Sequence, residues 1–71
     1  MNDEEKMVND LAYSKCIILL KHIDESLQSK QYVVYSKRLF EFLDCVSFIS
    51  VRHKQDELLD NLKFLQGVED D

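Results

Sequence analysis

Apolar residues recur at helical intervals along most of this chain. Over residues 3–29, Val8, Ala12, Cys16, Leu19, Leu20, Ile23 and Leu27 fall on one side of a helix at about 100° per residue. Met7, Leu11 and Ile18 widen that side into a second shoulder, Ile17 lies alone toward the polar face, and Lys21, Asp24 and Gln28 fill the polar face. The arc is broader than one neighbouring helix covers, which predicts contacts on two sides. Asn2, followed three residues later by Glu5, reads as an N-terminal cap, and acids in the first turn suit the helix dipole.

The polar stretch Ser26-Leu27-Gln28-Ser29-Lys30-Gln31 predicts a turn, with Ser29 as a cap for the next helix and Tyr32 in its first turn. Residues 31–51 then read as a second helix. Tyr35, Leu39, Phe42, Leu43, Val46 and Ile49 form its stripe, Lys37, Glu41 and Asp44 take the opposite side, and Phe40, Phe48 and Val51 lie off the stripe. The runs Tyr32–Tyr35 and Val46–Val51 have strand propensity, but neither alternates as a half-buried strand would. After a polar break at residues 52–56, Leu58, Leu62 and Leu65 begin a new stripe in a helical segment over 55–66, with Leu59 and Phe64 beside it. This stripe is turned by about a third of a turn from the previous one. Gly67 sits where a C-terminal glycine belongs, and residues 67–71 read as a frayed acidic tail.

These elements predict an all-α, single small domain. It is an antiparallel helical hairpin followed by a C-terminal extension or a short third helix. With a turn near residues 29–30, residues whose numbers sum to about 60 come level. Leu19 then faces Phe42, and Asp3, Glu4 and Glu5 come near His53 and Lys54. The first helix runs out where the second stripe rotates, so Leu58, Leu62 and Leu65 need a cover.

Composition narrows the class. The chain has 71 residues, no proline and one glycine, which favours long helices and leaves no glycine-rich phosphate loop. A chain this short has a marginal core and usually needs a disulfide, a metal or a second chain. The net charge is −5, with acids at both ends, a surface that nucleic acid and anionic membranes repel. The longest apolar run, Cys16–Leu20, is far below the ~20 residues of a membrane span. No secretory leader is legible, so a cytoplasmic location with reduced thiols is expected.

Candidate chemistry is sparse. Cys16 and Cys45 come level in the hairpin, but Cys45 points away from the stripe that Cys16 faces. They read as two buried thiols acting as small hydrophobes rather than as a disulfide or redox pair. Cys16, His22, Cys45 and His53 lack any short metal-ligand spacing. Ser14, Ser36, Ser47 and Ser50 lie on predicted helices without a glycine elbow, so neither enzyme activity nor a cofactor is expected. Among the aromatics, Tyr35 and Phe42 fit the core, while Phe40 and Phe48 fit an interface, where aromatic anchors concentrate.

The Gln31-Tyr32 pair opening the second helix, Leu39 a turn and a half later, and the cluster of Val46, Ile49 and Val51 resemble the small helical-hairpin co-chaperones of type III secretion needle subunits. The resemblance spans roughly residues 8–51, and the chain departs from it in continuing through Leu58 to Leu65. It implies that the outer face of the hairpin docks a larger helical-repeat chaperone.

The expected function is that of a non-enzymatic helical protein-binding module of chaperone or adaptor type, burying apolar helix faces against a helical partner or a second copy. Phe40, Phe48, Val51, Leu58 and Leu62 are the expected partner-binding residues. Two alternatives stand beside it. One is a small acidic regulator, from a phage, plasmid or host, that inhibits a transcription or replication factor by charge steering. The other is a structural homo-oligomer.

Overall fold

In the computed structural model, residues 2–67 are described. Three helices follow in order: α1 (Asp3–Gln28), α2 (Tyr32–Val46) and α3 (Arg52–Leu65). The fold is all-α, and α1 packs against α2 as an antiparallel hairpin. Asn2 caps α1 as its spacing predicts, its Oδ1 accepting the Glu5 backbone N–H at 2.8 Å.

The α1–α2 turn is built from the backbone. Lys30 takes the left-handed conformation, φ +59°. Around it the Gln31 N–H donates to the Ser26 carbonyl at 2.9 Å and the Lys30 N–H to the Leu27 carbonyl at 3.1 Å. This is the hydrogen-bond pattern that usually places glycine at the left-handed position. Ser29 does not cap α2. Its hydroxyl donates back to the Glu25 carbonyl at 2.8 Å, and Gln31 takes the cap position without a side-chain bond.

The second helix ends at Val46, five residues earlier than the stripe suggests, and α3 starts at Arg52. Three local interactions end it. The Ser47 hydroxyl donates to the Asp44 carbonyl, Phe48 and Ile49 make tight bonds to Cys45 and Val46, and the Gln55 amide reaches back to the Ile49 carbonyl. Asn9 of α1 then clamps the connection. Its Oδ1 accepts the Ser50 N–H at 2.8 Å, while its amide donates to the Glu5 carbonyl at 2.7 Å and to the Ser50 hydroxyl at 3.2 Å. Asn9 is buried, and these bonds satisfy it.

The chain therefore bends at residues 47–51 and α3 folds back as a third helix. Leu58 and Leu62 are buried in one cluster with Cys16, Leu19, Leu20, Ile23, Phe42 and Val46. Two contacts to α1 fix the near end of α3: the Tyr13 hydroxyl donates to Glu57 Oε1 at 2.9 Å, and Lys54 Nζ lies 4.7 Å from the centre of the Tyr13 ring. At the far end the Gln66 amide donates to the Tyr35 hydroxyl at 2.6 Å. Lys54 thus packs on an aromatic face rather than pairing with Asp3, Glu4 or Glu5. Among the described residues the ion pair present is Arg38–Glu41, at 3.0 Å. Gly67 has φ +76°, as a helix-ending glycine requires, and its N–H donates to the Phe64 carbonyl. The expected fraying of residues 68–71 lies outside the described residues.

The three helices form a slab with principal extents of 41 × 29 × 14 Å. Its interior is a single layer of side chains between helices, and both broad sides and the outer edges face solvent.

Candidate docking surface

The helix pattern that fills the core also fixes what is left outside. Phe42, Cys45 and Val46 turn the inner face of α2 toward α1, so Phe40 and Phe48 are held away from it. Phe40 is 72% exposed and Phe48 60%. Val51 sits at the start of α3, partly buried against the core. Leu58 and Leu62 are a correction to the expected partner-binding set. Leu58 has no exposed surface and Leu62 almost none, because the bend at residues 47–51 lays α3 on α1 and the chain covers that stripe itself.

Phe48 closes one end of an apolar groove between α1 and α2 of about 300 Å³. Val8, Leu11 and Ala12 line it from α1 and Cys45 from α2, with Lys15 on one rim and Glu41 and Asp44 on the other. Further along the hairpin the same side becomes polar, with His22, Ser26, Val34 and Arg38 around a second cleft. The Arg38–Glu41 bond is one helical turn apart and about one-third exposed on each side, so it contributes little to stability and mainly holds the rim side chains.

Two further apolar stripes face solvent. On α1, Met7, Leu11 and Ile18, each more than half exposed, lie within about 60° of arc together with Ser14. On α2, Val33, Phe40 and Leu43, the last 43% exposed, lie within about 80° of arc together with Ser36. The α1 stripe belongs to the wide apolar arc of the sequence, but it is a separate face. Its 4-3-4 spacing is displaced from the core stripe, and that displacement was the signal marking it as outward.

The thiols lie opposite to what the wheel of α2 predicted. Cys45 lies within α2 on the Phe42 flank of its stripe, and that flank faces α1 while Leu43 on the other flank stays exposed; the Cys45 Sγ donates to the Ala12 carbonyl at 3.3 Å and lies beside Cys16. Both thiols are free and buried. Burial, reinforced by the hydrogen bond and charge of Cys45, pushes the Cys16 thiol up to about 12. Tyr13 is raised by its hydrogen bond to Glu57, with burial and the Glu57 charge adding to it. Among the described residues, no three His, Cys, Asp or Glu side chains converge as a metal site, and no helix is long and apolar enough to cross a membrane.

What the surface can do is bury apolar area against a helix: an exposed aromatic at a groove mouth, charged rims, and two stripes at coiled-coil spacing. Comparison of the chain with protein-family models, with curated proteins and with solved structures gives no match.

Proposed function

We propose that this chain is a helical protein-binding module of chaperone or adaptor type, which buries the Phe48 groove and the Phe40 face against helices of another chain. The observation that carries this reading is the concentration of large exposed apolar side chains on the outer faces of α1 and α2. Exposed apolar residues scattered singly are ordinary, but contiguous patches rimmed by charge mark interaction sites.

A photo-reactive phenylalanine analogue placed at Phe40 and at Phe48 tests the reading in cells that make the protein. Discrete cross-linked species are expected at both sites, with none at Asn61, an exposed polar position on α3. Cross-linking at Phe40 and Phe48 no stronger than at Asn61 refutes it. Apolar docking also predicts that the captured complexes survive raised salt, whereas binding driven by Asp3, Glu4 and Glu5 would weaken steeply. The narrower reading, a co-chaperone of type III secretion, is supported by the resemblance alone. It predicts that the species captured at Phe48 is a larger helical-repeat chaperone.

A further inference from the structure

We infer that the outer face of α1 is a two-fold interface on which a second copy of this chain docks, α1 against α1, antiparallel. The inference rests on the protein-binding reading above and names the occupant of one of its faces.

The argument is a symmetry in the order of residues along α1. Around the point between Ala12 and Tyr13, Leu11 and Ser14 stand at equal distances, and so do Met7 and Ile18, Glu4 and Lys21, and Asp3 and His22. All eight side chains are exposed on one continuous helix. Two antiparallel copies centred there place Met7 of each against Ile18 of the other and Leu11 of each against Ser14 of the other. Serine at the crossing lets the axes approach to within the usual 8–10 Å. At the ends, Glu4 of one copy comes level with the opposite charge of Lys21 of the other, and Asp3 with the His22 ring, whose N–H can donate a hydrogen bond. A parallel pairing would instead stack the acidic first turns on each other and align the helix dipoles unfavourably. A two-fold contact must be self-complementary, and this face meets that condition.

The fold leaves room for it. The residues of α1 that face α2 and α3, Ala12, Cys16, Leu20 and Ile23, lie on the other side of the helix. At 1.5 Å per residue the stretch from Asp3 to His22 is about 29 Å long, and Val8 with the Phe48 groove extends it sideways on one flank. The exposed stripe of α2 lacks this balance. Lys37 and Asp44 flank Val33 and Phe40 on the same side, and no pair of opposite charges stands symmetrically about its centre.

The test is sedimentation equilibrium of the purified full chain over about 1–500 µM, with helicity followed by circular dichroism. The wild type should sediment at twice its 8.4 kDa. Ile18→Glu should weaken association at least a hundredfold while helicity is retained, and Phe40→Ser should leave the mass unchanged. Lys21→Glu should weaken the dimer about tenfold, and adding Glu4→Lys should restore it, because each new acid then faces a new lysine of the other copy. A monomer at every concentration overturns the inference. So does a dimer that ignores Ile18→Glu but is lost on Phe40→Ser, and so does failure of the charge swap to rescue. None of these results touches the protein-binding reading, which fails only if Phe40 and Phe48 capture no other chain.

Discussion

Replacing Leu58 by alanine separates a core role for α3 from a docking role. Leu58 has no exposed surface and packs in the cluster that joins all three helices. Truncating a buried leucine loses its transfer free energy and leaves a cavity, typically 2–5 kcal/mol together. A 71-residue chain holds only about 4–11 kcal/mol in all, so this one change should remove a large share of the stability. Few side chains anchor α3: Leu58 and Leu62 are buried and Leu59 and Leu65 partly so. We therefore expect about 3 kcal/mol. In urea, with m near 1 kcal/mol/M for so small a protein, the midpoint should fall by about 3 M. The assay is urea unfolding followed at 222 nm, beside Phe64→Ala as a control. Phe64 is 82% exposed on the same helix, and its truncation should change stability by less than about 0.5 kcal/mol. A Leu58→Ala midpoint within about 0.5 M of wild type would refute the reasoning, because it would mean that α3 does not cover its own stripe. A fall in m as well would mean that α3 melts apart from the hairpin.

Three further outcomes follow from the structure. Asn9→Ala removes the clamp on the α2–α3 connection and leaves the Ser50 N–H without its partner, so it should cost about 1–3 kcal/mol, with faster hydrogen exchange at the Ser50 amide as the specific readout. Lys30 holds a left-handed backbone at φ +59°, where a side chain costs roughly 1–2 kcal/mol and glycine only its chain entropy; Lys30→Gly should raise the melting midpoint by an amount equivalent to about 0.5–1 kcal/mol. Cys16, pushed up to about 12 in the fold, stays protonated while the unfolded thiol ionises above its usual value near 9, so stability should be full below pH 9 and fall by about 1.4 kcal/mol per pH unit from there toward 12. Cys16→Ala should flatten that slope, measured by urea midpoints across the alkaline range.

How far the sequence was legible depended on which interactions are local. The cap at Asn2, the turn near Lys30 and the ends of α1 follow from residues within one or two helical turns of each other, and pattern alone locates them. The antiparallel register is equally legible. Asn9 meets Ser50 and Cys45 meets Ala12, close to the level pairing that a turn near Lys30 dictates. The second helix was misread because Val46, Ile49 and Val51 keep an apolar rhythm through its end. Ile49 is buried from a tight turn, not from a helix face. What stops α2 is a serine bonding to the backbone, a glutamine six residues onward and an asparagine from another helix. None of these leaves a periodic signal. That single displaced boundary propagates. It brought Leu58 and Leu62 against α1 instead of leaving them for a partner, whereas Cys45, inside α2 on either account, is inward because the helix turns the Phe42 and Cys45 flank of its stripe toward α1. Phe40 and Phe48 stayed outside because they sit off the stripe on either account.

The same boundary links folding to binding. A straight second helix would have left the last stripe uncovered and the hairpin dependent on another chain for its core. By bending at residues 47–51 the chain closes its own core, yet only as one layer, and the apolar residues that do not fit that layer are displaced to the outer faces of α1 and α2. Stability and exposed apolar surface therefore come from one cause: too few residues to wrap a second layer around the first. A chain built this way gains stability from whatever covers those faces. A partner that binds the folded form alone, present at a hundred times its dissociation constant, adds about 2.7 kcal/mol, roughly what the burial of Leu58 contributes within the chain. The outer face of α1 is in this sense a layer the core lacks, and the docking proposed there would continue the packing that folds the chain.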